Sequence, residues 1–214
     1  DAAARSGLHF VRLTPSKWKS TRANSKRGDF LLGDRNHYTG LVKEDILQLR
    51  AVLDQAYRAG LRVVLTFLDI PGHYWLQHNN GKQDRRLWED KKHWSSAIQF
   101  FVDIAKEFKG HPALVGYDLL NEPSPEKTGI TLEDWLSGSY ETWNAKIAKG
   151  PQDIHQFYLQ AVTAIRKIDA TIPIIIETGY YATPWAINGL KPIDDENVLY
   201  SVHMYEPFSF TFSH

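Results

Sequence analysis

Residues 114–125 read LVGYDLLNEPSP. Leu114 to Leu120 form a short apolar run with little alternation. That is the pattern of a strand buried on both faces, as in a parallel sheet. The run ends in Asn121, Glu122 and Pro123, so a buried strand would finish by presenting an amide and a carboxylate side by side.

Similar runs lie on either side: LHFVRL at 8–13, LRVVLTFL at 61–68, IPIIIE at 172–177 and NVLYSVHMY at 197–205. Helical periods fall between them. Ile46, Leu49, Leu53, Ala56 and Tyr57 make one apolar stripe ended by Gly60, and Ile98, Phe101, Ala105 and Phe108 make another closed by Gly110. Ile154, Phe157, Tyr158, Ala161, Ile165 and Ile168 make a third, with Pro151 suited to its first turn. Strand and helix in alternation mean βα units and a parallel sheet.

No G-x-G-x-x-G follows a strand and no G-x-x-x-x-G-K-[ST] occurs, so a nucleotide-binding doubly wound sheet lacks its usual mark. Polar and aromatic residues collect just after the strand ends instead, in RLTPSKW, DIPGHYW, NEPSP, ETGYYATPW and HMYEP. That distribution favours an α/β (β/α)8 TIM barrel, whose active face is built from these loops.

Composition narrows the function. Lys+Arg and Asp+Glu are 25 each, for a formal net charge of zero, which argues against nucleic-acid and anionic-membrane partners. The chain has no Cys, hence no disulfide framework. It lacks G-x-S-x-G, so an esterase has no support. His73, His78 and His93 are spread over a loop with no carboxylate completing a compact set, so a catalytic metal is not expected.

The polar strand ends carry chemistry. A carboxylate held beside an amide in a recess, as Glu122 beside Asn121, suits general-acid work, and Asn121 offers a donor and an acceptor to a bound hydroxyl. His203 and Tyr205 are two apart and would share a face, and Arg12 ends the run HFVRL. Three parallel strands would bring these groups to one mouth.

VRL, GYDLLNEP and VHMYEP, in this order, together with RAGLRVVLTFLDIPG and AKEFKGHP, resemble glycoside hydrolase family 5, the cellulase-type members of the clan A barrels. The resemblance covers nearly the whole chain. It implies a retaining hydrolase of β-glycosidic bonds acting on a polysaccharide or oligosaccharide without a cofactor. Glu122 would be the acid/base and Asn121 would hold the sugar 2-hydroxyl. His203 and Tyr205 would line the subsite and orient the nucleophile, and Arg12 would hold the nucleophile's charge. A carbohydrate-binding barrel without a nucleophile is the alternative.

Two departures from the family pattern stand out. A His usual after the third strand is absent. Leu68 and Asp69 stand near its place, which makes Asp69 a candidate sugar contact. The family's nucleophile also follows His-x-Tyr on a seventh strand. LHFVRL reads as strand two, so residues 1–214 read as a partial catalytic domain covering roughly strands 2 to 6, expected to be inactive by itself. The opening DAAARSG reads as a helix end entering a strand, with no signal peptide. Glu177, on the adjacent fifth strand, is expected as a subsite contact or ion-pair partner rather than as nucleophile. Trp75, Trp18 and Trp185 on the loops could stack on a pyranose ring, and Gln77 could reach a sugar.

Overall fold

The computed structural model describes residues 2–126 and 139–211. Its centre is a parallel five-stranded sheet in sequential order: β1 (Phe10–Leu13), β2 (Arg62–Thr66), β3 (Leu114–Asp118), β4 (Ile174–Glu177) and β5 (Val198–Ser201). Each strand lies inside one of the five apolar runs. Sequential order in an all-parallel sheet requires a crossover after every strand. Three crossovers are helices: α1 (Lys43–Arg58), α2 (Trp94–Phe108) and α3 (Ile154–Arg166). The fourth, from β4 to β5, has no long helix and passes through a 3-10 segment at Pro184–Gly189.

The helices follow their apolar spacing with local adjustments. In α1, Leu49 and Leu53 are fully buried, but Tyr57 is exposed and lies under the Arg62 guanidinium, 5.3 Å from its ring centre. The helix ends in a Schellman turn. Gly60 takes φ +78°, and Leu61 N donates to Ala56 O at 2.9 Å. In α3 the first turn begins at Ile154, capped by Asp153 accepting from Gln156 N at 3.0 Å. Pro151 therefore lies in the turn before the helix rather than in its first turn.

The core between sheet and helices is strongly aromatic. Phe67 at the end of β2 meets Phe100 and Phe101 of α2 at 5.2 and 5.9 Å, and Phe157 of α3 meets Trp88 and Trp94 edge-on, both at 5.6 Å. All six rings are buried. Edge-to-face contacts at these separations are favourable beyond area burial. They fix the helices against the sheet and so fix where the strand ends point.

One buried carboxylate organises the long segment after β1. Asp45, in the first turn of α1, accepts from Ser20 Oγ at 2.6 Å, Thr21 N at 3.0 Å and Leu31 N at 2.9 Å. A carboxylate without solvent needs such donors. Their effect is to pin a loop of nearly thirty residues onto the start of the next helix. Among the described residues, no helix is long and apolar enough to cross a membrane.

Candidate active site

Every group that gathers at the mouth comes from the C-terminal end of a strand or the loop after it. Arg12 lies within β1. Thr66 ends β2, Asp118 ends β3 and Glu177 ends β4. Asp118 and Glu177 are completely buried, and both take the Arg12 guanidinium: Nη2 pairs with Asp118 Oδ2 and lies 2.8 Å from Glu177 Oε1. Arg12 Nε also donates to Thr66 Oγ1, and Nη2 to Asn121 Oδ1, both at 3.3 Å. Burial alone would lower the guanidinium's pKa, but the two carboxylates outweigh it and raise it. Asp118 is pushed above the usual carboxylate range, first by burial and then by the charge of Glu177.

Past β3 the chain turns sharply. Asn121 N donates to Phe67 O at 2.8 Å, and Glu122 then adopts φ +51°, a left-handed backbone unusual for a residue with a Cβ. Its N–H donates to Glu177 Oε2 at 2.7 Å. The turn swings the Glu122 side chain into the open, where Oε1 receives His203 Nδ1 at 2.7 Å and the Tyr205 hydroxyl at 3.3 Å. The other ring nitrogen of His203 faces Glu177 Oε1 at 3.1 Å. Hydrogen bonds to Glu122 and then Glu177 raise the imidazole to about 9 against the opposing effect of burial. Both ring nitrogens of His203 thus face carboxyl oxygens, and the upward shift favours the protonated ring.

β5 ends at Ser201, so His203 and Tyr205 lie beyond the regular strand. What holds them is His203 N donating to Ala182 O at 2.7 Å. Tyr180, Tyr181 and Ala182 form a run of three left-handed residues. Two further bonds fix that run to the segment after Glu122: Tyr181 N to Pro123 O at 3.1 Å and Tyr180 N to Glu126 Oε2 at 3.0 Å. Neither the left-handed run nor the buried Glu126 behind it stood out in the sequence. Asp118 did offer a signal, as a lone carboxylate inside an otherwise apolar run.

These groups open onto a cleft of about 580 Å³. Arg12, Asn121, Glu122, His203 and Tyr205 line one part of it, and Trp75, Gln77 and His78 another. Two of the expected sugar contacts do not reach it. Asp69 is buried, with its carboxylate taken by His78 Nδ1 and by Trp75 N at 2.8 Å. Glu177 is likewise sealed beneath Arg12, His203 and the Glu122 amide. Both act through the residues they hold, so of the two roles expected of Glu177 the ion-pair partner is the one its position allows. Of the other indoles, Trp18 packs edge-on to Phe30 at 5.0 Å, and neither it nor Trp185 lines the cleft. His73 is buried against Trp88, and among the described residues no three His, Cys, Asp or Glu gather as metal ligands.

Parallel βα units that present an arginine, carboxylates and a His-x-Tyr pair at the strand C-termini define a (β/α)8-barrel architecture, of which this sheet is five consecutive strands. The chain belongs to glycosyl hydrolase family 5: the cellulase model of that family matches residues 1–214. Endoglucanase C of Acetivibrio thermocellus is 25% identical over 185 residues, covering 86% of this chain and 46% of its own length. Cellulase CelDZ1 of Thermoanaerobacterium is 30% identical over 114 residues, covering 53% of this chain and 26% of its own length. Among solved structures, Pseudomonas stutzeri endoglucanase Cel5A superposes with TM-score 0.63 at 21% identity, covering 95% of this chain and 51% of that one. Thermotoga maritima Cel5A, solved in complex with cellobiose, superposes with TM-score 0.62 at 20% identity, covering 99% and 54%. The chain spans about half the length of Endoglucanase C, or less in the case of CelDZ1.

Proposed function

We propose that this chain forms part of the catalytic domain of a retaining hydrolase that cleaves β-glycosidic bonds in a glucan-type polysaccharide or oligosaccharide. The observation that carries the reading is the Glu122 carboxylate, turned into the cleft by a left-handed backbone and held there by His203 and Tyr205. In this reading Glu122 gives its proton to the glycosidic oxygen as the bond from C1 to that oxygen breaks. It later takes a proton from the water that releases the sugar from the nucleophile. Asn121 meets the 2-hydroxyl, and Arg12 supplies positive charge beside the reacting carboxylates. Retaining chemistry needs a second carboxylate about 5–5.5 Å from the first. Glu177 is too deeply buried for that part, so in this proposal the nucleophile comes from another segment of the whole barrel. The relatives named endoglucanase and cellulase, and the neighbour bound to cellobiose, support a β-glucan substrate.

The test uses the whole protein carrying Glu122→Gln. Hydrolysis of cellulosic polysaccharide is expected to fall by orders of magnitude, while release of an activated aryl leaving group, which needs no acid, is largely spared in the first step. Equal loss on both substrates overturns the acid role. A carbohydrate-binding protein without hydrolysis would instead bind both substrates and turn over neither.

A further inference from the structure

The loops after β1 and β2 bring three nitrogen-bearing side chains to the cleft, those of Lys17, Arg27 and His78. Their placement is fixed by the fold. Residues 19 and 27 pair as an antiparallel bridge, and Arg27 Nε donates to Lys17 O at 2.7 Å. That bond uses one edge of the guanidinium and leaves both terminal nitrogens free of any protein partner among the described residues. Lys17 likewise has no carboxylate partner among them. Five other arginines, Arg12, Arg35, Arg50, Arg86 and Arg166, each hold a carboxylate. Arg85 is held by the Ser124 and Glu126 carbonyls and Arg62 lies over Tyr57, so what sets Arg27 apart is that its free end lines the cleft.

His78 completes the group. Its Nδ1 is bound to the buried Asp69 carboxylate, which fixes the ring; Nε2 has no hydrogen-bond partner among the described residues, and His78 lines the cleft. Gly28, at φ +90°, packs the Arg27 loop directly on this imidazole. A Cβ there would sit 2.8 Å from His78 Cβ and 3.0 Å from Asp69 Oδ2. Loop, imidazole and buried carboxylate therefore form one packed unit. Along the mouth it lies on the β1–β2 side, away from the loop after β5 that carries His203 and Tyr205. Among the described residues, Glu122 is the one carboxylate lining the same cleft.

We propose that Lys17, Arg27 and His78 form a subsite for a sugar unit bearing a carboxylate, so that the cleft takes an acidic β-glycan in preference to a neutral one. The proposal rests on the glycosidase reading above. A free guanidinium edge matches a carboxylate with two parallel N–H donors and an ammonium adds a point charge, while the fixed His78 imidazole meets a hydroxyl of the same sugar unit, which can either donate or accept. A neutral glucan would leave both cations solvated and gain nothing from them.

The experiment is calorimetric binding at low salt to the whole protein held inactive by Glu122→Gln. The probes are cellotetraose and a β-1,4-linked tetrasaccharide of the same length in which one glucose is replaced by glucuronic acid. The acidic probe is expected to bind about fivefold tighter, the scale of a partly solvated ion pair. That advantage should vanish in the Lys17→Gln/Arg27→Gln double variant and at high salt, with cellotetraose binding unchanged in both cases. Equal affinity for the two probes overturns the subsite and leaves the glycosidase reading intact. So does a double variant that weakens both probes alike. Failure of the acidic probe alone to bind overturns the subsite, and failure of both probes overturns the proposal together with the reading beneath it.

Discussion

The buried carboxylate of Glu177 accepts the backbone N–H of Glu122 at 2.7 Å. The contact joins the end of β4 to the turn after β3, and it falls at a residue whose backbone is left-handed. Such a conformation costs on the order of 1 kcal/mol or more and persists only where the surroundings over-determine it. Here the buried Glu177 carboxyl group, itself held by Arg12 and His203, does so. The same carboxylate accepts from Arg12 and faces His203, so one side chain links the turn that carries the proposed acid to two of its neighbours.

Glu177→Gln tests that arrangement. It keeps the volume but removes the charge that two cations and an amide share. Removing an acceptor from the partly exposed Arg12 and from His203 is expected to cost about 1–2 kcal/mol of stability. Urea denaturation of variant and parent measures it. A loss indistinguishable from zero would mean that Asp118 alone satisfies Arg12.

The His203 imidazole gives a prediction in pH. Its pKa in the folded protein is raised to about 9 from an ordinary 6.5. A group raised on folding contributes stability that is fully present below its unfolded value and is lost as pH climbs through the folded one. The contribution of His203 is therefore expected to be intact below about pH 6.5 and to disappear by about pH 9. An NMR titration of the ring should find its midpoint well above 6.5, and Glu122→Gln should bring that midpoint down. A midpoint at the ordinary value in the parent would remove the imidazolium from the site.

Trp75 separates binding from folding. Its backbone is fixed by Asp69, its ring lies 6.4 Å from that of Tyr181, and it borders the cleft without joining the main core. Trp75→Ala is expected to weaken oligosaccharide affinity about fivefold, the worth of a lost stacking contact. The melting temperature should hardly move. A large fall in melting temperature with affinity unaltered would assign the indole to packing instead.

Much of this architecture was legible because strand burial and helical amphipathicity leave periodic traces. The five apolar runs contain the five strands, and Leu49, Phe101 and Phe157 sit on the buried helix faces their spacing implies. The groups at the mouth were legible in part. Arg12, Asn121, Glu122, His203 and Tyr205 were found because polar residues at the ends of buried runs are costly unless used. Asp69 and Glu177 were placed one layer too far out. Sequence position puts a carboxylate near the mouth but cannot say whether its oxygens face solvent or a buried donor. That depends on how the loop after β2 folds back to bring His78 onto Asp69, and on Arg12, which reaches Glu177 from a strand 165 residues earlier. The left-handed run at Tyr180–Ala182 left no trace, because nothing in Tyr-Tyr-Ala favours positive φ; contacts with Glu126, Pro123 and His203 impose it.

The shared acceptor Glu177 Oε1 also bears on how the molecule assembles. Arg12 and His203 are separated by 191 residues and lie on opposite flanks of the sheet, yet both donate to this one oxygen. Loop-closure entropy makes so distant a meeting unfavourable until the intervening βα units have shortened the effective path. The ionic cluster at the mouth is therefore expected to close late in folding, a clasp fastened after the sheet has curled. For the same reason the mouth reports on the integrity of every unit between its two flanks: a fault anywhere in the three middle strands is felt there as a clasp that no longer meets.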